Sequence, residues 1–600
     1  NTTGINVAMG IYALDANTTG TSNTALGINA LTTNVAGDQS TAVGHEALNT
    51  QNPSGNADMN NVAVGYRAGY AVTTGANNIL VGSGAGDAIT SGGNHTAVGH
   101  DALSAVTTVG SLTGIGYQAG QDNTSGTDNV YVGYQAGKDV TSGSYNVIIG
   151  NAAGDAQTTA SHSTFVGFGA GGAVTSGNHN TIMGSHAGDA MTTGSENTCI
   201  GRAAGGAINT GARNTCIGQA AGNSLTTGVE NTIIGNNAAS ALTTANQSVI
   251  IGDNAAAGAT VTGALNVVIG DGAGYDLTSG AGNTFVGSNC GADIISASNN
   301  TAVGDYAADA VTTGTTVVAV GNGALGAMTT GSDNVAVGVG AGGAITTHQY
   351  NTFVGHQTGR LCTDGANVAM GAYSFYDATS AANTVCIGGW AGENITTGDG
   401  NICIGKSSGS SVTTSPNNTI VGFNAGNSIS DGSGGNVCIG NGAGDNLVDG
   451  TNNICIGDSS DTAATDSSQS VTLGNSTISA LRCQVQTISA LSDRRDKKDI
   501  KDLDYGLDFI NTLRPVKFTW NMRDGGKVDI KEAGFIAQDL DESQNKFDAE
   551  EYLQLVLKDN PEKLEAAMGK LLPSMVKAIQ ELSAKVEELE KWKEENTCCG

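Results

Sequence analysis

The sequence has little proline, few aromatic rings and almost no positive charge before its last fifth. Five prolines and 4% aromatics stand against 90 glycines in 600 residues. That balance excludes an ordinary globular enzyme, whose core needs large apolar side chains. The glycines follow no three-residue period, so collagen is excluded as well. Residues 1–491 hold 7 Lys+Arg against 30 Asp+Glu, and residues 492–600 hold 18 against 24. So acidic a stretch argues against nucleic acid as a partner, since its affinity comes from Lys and Arg on phosphate. Anionic membranes are disfavoured for the same reason. No apolar run spans a membrane, and no alternating strands suggest a membrane barrel. The chain opens inside a repeat at Asn1, which puts the expected N-terminus upstream.

What fills residues 1–475 is a repeat. Aligning on the motif Asn-Thr/Val-apolar-Ile/Val-Gly gives 28 units, such as Asn197-Thr198-Cys199-Ile200-Gly201 and Asn231-Thr232-Ile233-Ile234-Gly235. The spacing is 17 residues almost throughout, with slips before Asn61, Asn266, Asn367 and Asn436. A unit reads N-T-x-I-G-x-x-A-G-x-x-I-T-T-G-x-x. This period is too short for helix pairs. Two short β-prone runs per unit, the second ending in Thr-Thr-Gly, predict a parallel β-solenoid in which each rung pairs with the next. Rungs ~4.8 Å apart would give a shaft of roughly 130 Å.

The third and fourth positions of the unit are both apolar, as in Cys216-Ile217 and Phe353-Val354. Neighbours on a strand point to opposite faces. A lone thin solenoid buries only one of them, so the other face asks for a second chain. A parallel homo-oligomer is expected. The repeats resemble the head repeats of trimeric autotransporter adhesins, as in Asn61-Val62-Ala63-Val64-Gly65-Tyr66-Arg67-Ala68. That resemblance implies a trimer.

At Leu491–Ser492 the composition changes. A charged segment opens with Ser492-Asp493-Arg494-Arg495-Asp496-Lys497. Residues 504–513 predict a short amphipathic helix and residues 514–520 a strand. Gly525-Gly526 predicts a hairpin turn. Beyond Pro561 the pattern is helical, and Met575, Ile579, Leu582, Val586 and Leu589 form a short heptad seam that asks for parallel partner helices.

Several motifs of this module stand in order: Ser-Asp-x-Arg-x-Lys at 492–497, Arg514-Pro515-Val516 with Phe518 and Trp520, Gly534-Phe535-Ile536-Ala537-Gln538, and Lys577-Ala578-Ile579-Gln580-Glu581-Leu582. Over residues 492–592 they resemble the intramolecular chaperone of the endosialidase type, found at the C-termini of phage tail spikes and tail fibres. The one departure is Asp539-Leu540, where that family usually has Glu and Val. The resemblance implies a trimeric chaperone that holds three chains in register while the β-structure forms. It then leaves by autocleavage before the serine.

The residues allow that chemistry. A serine hydroxyl is a weak nucleophile until a base takes its proton. Lys497 serves as that base only if burial or neighbouring cations reduce its hold on its own proton. Arg494, Arg495 and Lys498 supply positive charge, and Lys498 is a second candidate base. Ser492 would attack the carbonyl of Leu491, so no external substrate is needed. The expected activity is a single-turnover, Ser-Lys serine endopeptidase acting on itself, with Asp493 and Arg495 in support. Taken alone, Ser-x4-Lys reads as a solvated helix cap before a charge run. The ordered motifs around it change that reading.

Other signals are weaker. Six of eleven cysteines (Cys199, Cys216, Cys386, Cys403, Cys438, Cys455) fill the apolar third position in three pairs 17 apart. Side chains on stacked rungs point in parallel, which suits small buried hydrophobes better than disulfides. Cys598-Cys599 would be able to link chains. No spacing suggests zinc, and no metal or cofactor is expected. The Thr-Thr-Gly rows suggest turn and ladder hydrogen bonding rather than an ice-binding face. The first-position Asn predicts an inward amide ladder.

The expected architecture is mostly β. A shaft of residues 1–475 leads through a tip or linker at 476–491 to an α+β chaperone of residues 492–600 that ends in a coiled coil. The function implied by the resemblance is a trimeric tail fibre of a phage or phage-like particle. It would bind upstream tail or baseplate proteins and a host cell-surface receptor or glycan, without membrane insertion. A bacterial surface or extracellular adhesin and a structural spacer are the alternatives.

Overall fold

The structure, a computed structural model, describes residues 4–432, 434–478, 481–482, 484, 492–523, 527–558 and 561–597. It falls into two compact units, Asn1–Ala366 and Asn367–Gly600. Twenty-eight three-residue strands, β1 (Val7–Met9) to β28 (Val471–Leu473), carry the repeat as parallel β-solenoid rungs. The last strand of the first unit is β21 (Thr352–Val354). The second unit opens with β22 (Val368–Met370).

Rungs pair in strict register. In β12 (Thr198–Ile200) and β13 (Thr215–Ile217), Thr198 faces Thr215, Cys199 faces Cys216 and Ile200 faces Ile217. The period sets this: each rung presents the same residue type to the same place on the next. The third position points inward. Cys216, Ile233, Phe285 and Phe353 are wholly buried, together with the alanine and the second apolar residue of most rungs, such as Ala221 and Leu225. The fourth position points outward and stays partly exposed, as at Ile115, Met183 and Ile456. Each chain thus closes its own narrow core and leaves an apolar strand face outside it.

The first-position asparagines are buried and close the backbone accounts of that core. Asn214 Nδ2 donates to the carbonyl of Gly228 (2.8 Å), and its Oδ1 accepts the N–H of Asn231 (3.1 Å). The buried N–H that the rung turn leaves over therefore finds an acceptor one rung away. At one rung a histidine takes this place. His95 Nδ1 accepts the N–H of Leu112 (3.3 Å), while Nε2 donates to the carbonyl of Val109 (2.8 Å).

The glycine after each strand is imposed by both backbone and space. Gly201 has φ +129, and a Cβ there would run into the carbonyl of Gly218 on the next rung. The sequence predicts a second strand ending at Thr-Thr-Gly; the structure has a bend there instead. The first threonine stitches rungs through its side chain, as when Thr226 Oγ1 donates to the carbonyl of Thr243 (3.0 Å). The second, such as Thr227, is exposed.

The C-terminal part of the second unit pairs β29 (Val516–Asn521) with β30 (Val528–Gly534) as an antiparallel hairpin. Gly525-Gly526 lies outside the described residues. The predicted helix of 504–513 is shorter, α1 (Leu507–Ile510), because Gly506 keeps a non-helical φ/ψ of −103/−130. Two further helices, α2 (Ala537–Lys546) and α3 (Glu550–Leu553), contribute Leu540 and Leu553 to the same core as Phe509 of α1. Phe509, Leu540, Leu553, Leu555 and Leu571 are the core, with Phe547 edge-on to Phe509 at 5.4 Å.

The helix predicted from Pro561 onward begins later, as α4 (Leu572–Thr597). Glu565 and Ala566 instead pair with Val556 and Leu557 in a two-residue ladder. Pro573 then sits in the first turn, where its missing N–H costs nothing. The heptad residues Ile579, Leu582 and Leu589 are exposed on α4. Among the described residues no helix is long and apolar enough to cross a membrane, and no group of three acidic, His or Cys side chains is placed to hold a metal ion.

Candidate self-cleavage site

The residues at the seam form one tight turn. Asp493 has extended backbone (φ −70, ψ 134) and caps a single 3-10 turn, Arg494–Asp496. Its Oδ1 accepts the N–H of Arg495 at 2.8 Å. Two main-chain bonds close the turn, from Asp496 N–H to the carbonyl of Asp493 and from Lys497 N–H to that of Arg494, both 3.2 Å. Ser492 therefore stands just before the turn and Lys497 just after it. Their side chains meet: Lys497 Nζ donates to Ser492 Oγ at 2.6 Å.

The acid beside them is clamped. Arg495 Nε donates to both carboxylate oxygens of Asp493 (3.1 Å each), and its Nη2 donates to Oδ2 at 2.6 Å. These bonds hold the Asp493 carboxyl below the usual range, so it remains an anion and a steady cap. Such a capping aspartate suits the start of a turn, where the first N–H groups lack partners.

Of the residues singled out in the sequence, Ser492, Asp493, Arg495 and Lys497 come together in this turn. Lys498, the second candidate base, makes no hydrogen bond to Ser492 among the described residues. Leu491, on the other side of the bond to be cut, lies outside the described residues, as do Cys598-Cys599 and most of 476–491. Ser492 and Lys497 are exposed on the single chain.

Residues 492–549 match the family model described as chaperone of endosialidase. The family implies self-cleaving chaperone activity, and its match begins at Ser492 itself. It ends at Ala549 and so leaves out the closing helix, which the resemblance in sequence had included. No curated protein and no solved structure matches the chain. The chain thus joins a β-solenoid to a C-terminal segment similar to the chaperone of endosialidase.

One structural role within the quoted motifs escaped the sequence. Glu581 of α4 reaches back to α1, where its Oε2 accepts the N–H of Leu507 at 2.7 Å. Lys577, one turn earlier, lies 3.6 Å from the same carboxylate. The i, i+4 spacing of Lys577 and Glu581 gives the local pair. It gives no sign of a partner 74 residues away. Asp539, the departure from the family pattern, lies 3.5 Å from Arg514, so the shorter acid still meets the arginine of Arg514-Pro515-Val516.

Proposed function

We propose that the chain is the precursor of a homotrimeric β-solenoid fibre whose C-terminal domain aligns the chains and then cuts itself off between Leu491 and Ser492. The observation that carries the reading is the Lys497–Ser492 hydrogen bond of 2.6 Å at the first residue of the matched domain. The amine is within reach to take the hydroxyl proton as Oγ attacks the Leu491 carbonyl carbon. The C–N bond then breaks, the proton passes to the departing nitrogen, and Leu491 is left as an ester on Ser492 Oγ. Water hydrolyses that ester, freeing the Leu491 carboxylate and restoring the hydroxyl.

Trimer formation is supported by two apolar surfaces that the single chain leaves open, the outward strand face and the α4 seam. The number three rests on the resemblance to trimeric families. Freed of the chaperone, the shaft would serve attachment to a surface receptor or glycan, on a phage-like tail or another extracellular particle, with contact at the new tip near 475–491.

Intact mass beside Ser492→Ala tests the cleavage. A wild-type product ending at Leu491 with an uncut variant is the expected result; a Ser492→Ala chain still cut at this bond refutes the assignment. Attachment is tested by adsorption of the fibre to cells. A chain truncated after residue 474 that adsorbs as well as the longer one would remove the tip from that role.

A further inference from the structure

The outward strand face repeats every rung, so by itself it does not fix which rung of one copy meets which rung of another. A slip by one rung would bring the same apolar residues together again. The margins of that face differ from rung to rung. On the rung of β12, Glu196 stands at one margin and Arg202 at the other, just past the bend at Gly201. Thr198 and Ile200 turn outward against the buried Asn197 and Cys199, and Glu196 stands exposed in the bend (φ +60) just before this strand, at the border of that face.

Glu196 and Arg202 are both exposed. Neither forms an ion pair or a side-chain hydrogen bond among the described residues. Other basic residues of the first unit do: Arg67 lies 3.6 Å from Glu46, Lys138 3.2 Å from Asp139 and Arg213 2.8 Å from Glu230.

Resting on the homo-oligomer proposed above, we infer that Arg202 of one copy pairs with Glu196 of its neighbour, and that this pair keys the shafts in phase. When identical parallel chains turn the same face toward a common axis, one margin of each chain meets the opposite margin of the next at the same height. Opposite charges on one rung then meet between copies. A slip of one rung in one direction sets Arg202 against Arg213, a like charge; in the other it sets Arg202 against His179. Attraction present in register and lost on a slip either way is how charge selects alignment on an otherwise uniform surface.

The test uses the full chain, in a background in which Cys598→Ser and Cys599→Ser remove the terminal thiols, carrying both Glu196→Cys and Arg202→Cys, oxidised and run on a denaturing gel without reductant. Wild type and each single variant are treated alongside, and native mass is read by light scattering. Covalent multimers in the double variant alone are expected. A native oligomer without the 196–202 link, or one in which a single variant links to itself, overturns the inference and leaves the oligomer standing. A monomer overturns both. As a second arm, Arg202→Glu should lower the assembled fraction about fivefold, as loss of an exposed pair would. Adding Glu196→Arg should restore it. An Arg202→Glu chain that assembles like wild type also overturns the pairing.

Discussion

The carboxylate of Glu581 accepts the main-chain N–H of Leu507 at 2.7 Å, joining the closing helix α4 to the first turn of α1 across 74 residues. Between them these elements frame the core around Phe509. Glu581→Ala leaves an N–H at the start of α1 without its acceptor and should cost the C-terminal domain about 1–2 kcal/mol. Glu581→Gln keeps an acceptor and should cost less. Gly506→Ala should be at least as harmful, because its Cβ would overlap the same carboxylate. Thermal unfolding of the uncut Ser492→Ala chain reads all three.

The Asp493 cap leads to a prediction about rate. Among the described residues Asp493 bonds Arg495 rather than Ser492 Oγ or Lys497 Nζ; it holds the turn that brings those two together. Asp493→Ala should loosen that turn by about 1 kcal/mol, the usual worth of a cap, and slow self-cleavage roughly fivefold. Asp493→Asn retains a capping oxygen and should cut at close to the wild-type rate. A time course of the cleaved product separates the two, and equal rates for all three chains would remove Asp493 from the positioning role.

Adjacent residues of one strand should behave in opposite ways. Ile233 is wholly buried in its own chain, whereas Ile234 is turned outward. Ile233→Ala should destabilise its rung by about 2–5 kcal/mol, the range for truncating a buried aliphatic side chain. Hydrogen exchange at residues 215–250 measures it. Ile234→Asp should leave exchange within the single chain nearly unchanged and lower the assembled mass. An Ile234→Asp chain that assembles normally would show that the outward face is free.

How much of this was legible in the sequence depends on range. The solenoid and its inward and outward faces follow from a period of 17 and from alternation along three residues, both local signals. The bend at Thr-Thr-Gly was misjudged because threonine favours strands by propensity, while here its hydroxyl bonds the carbonyl of the next rung. The proximity of Ser492 and Lys497 is also local, set by one capped turn. The tie between Glu581 and Leu507 is not, since nothing near either residue names the other. The late start of α4 has the same origin: Glu565 and Ala566 are claimed by a partner strand before helix propensity can act.

A buried histidine and a partly buried aspartate predict opposite responses to pH. Burial lowers the His95 pKa from its ordinary value, and the bonds to Leu112 and Val109 require the neutral ring. The unfolded chain then binds a proton that the native rung refuses. Stability at this rung should fall as pH drops through about 6.5 and below. Asp461 is the reverse case. Burial first, then the charge of Asp445, pushes its carboxyl up to about 6 from 3.8, against hydrogen bonding from the Asn446 N–H. The native rung holds a proton that the unfolded chain has released. Its contribution is therefore complete below about pH 4 and lost as pH rises through about 6. Hydrogen exchange at pH 4.5 and pH 7.5 should show the rungs near residue 95 loosening in acid and those near residue 461 tightening. His95→Asn, which restores the amide of the other rungs, should abolish the first effect, and Asp461→Asn the second. A wild-type chain whose exchange near residue 95 is the same at both pH values would mean that the ring is not held neutral in the core.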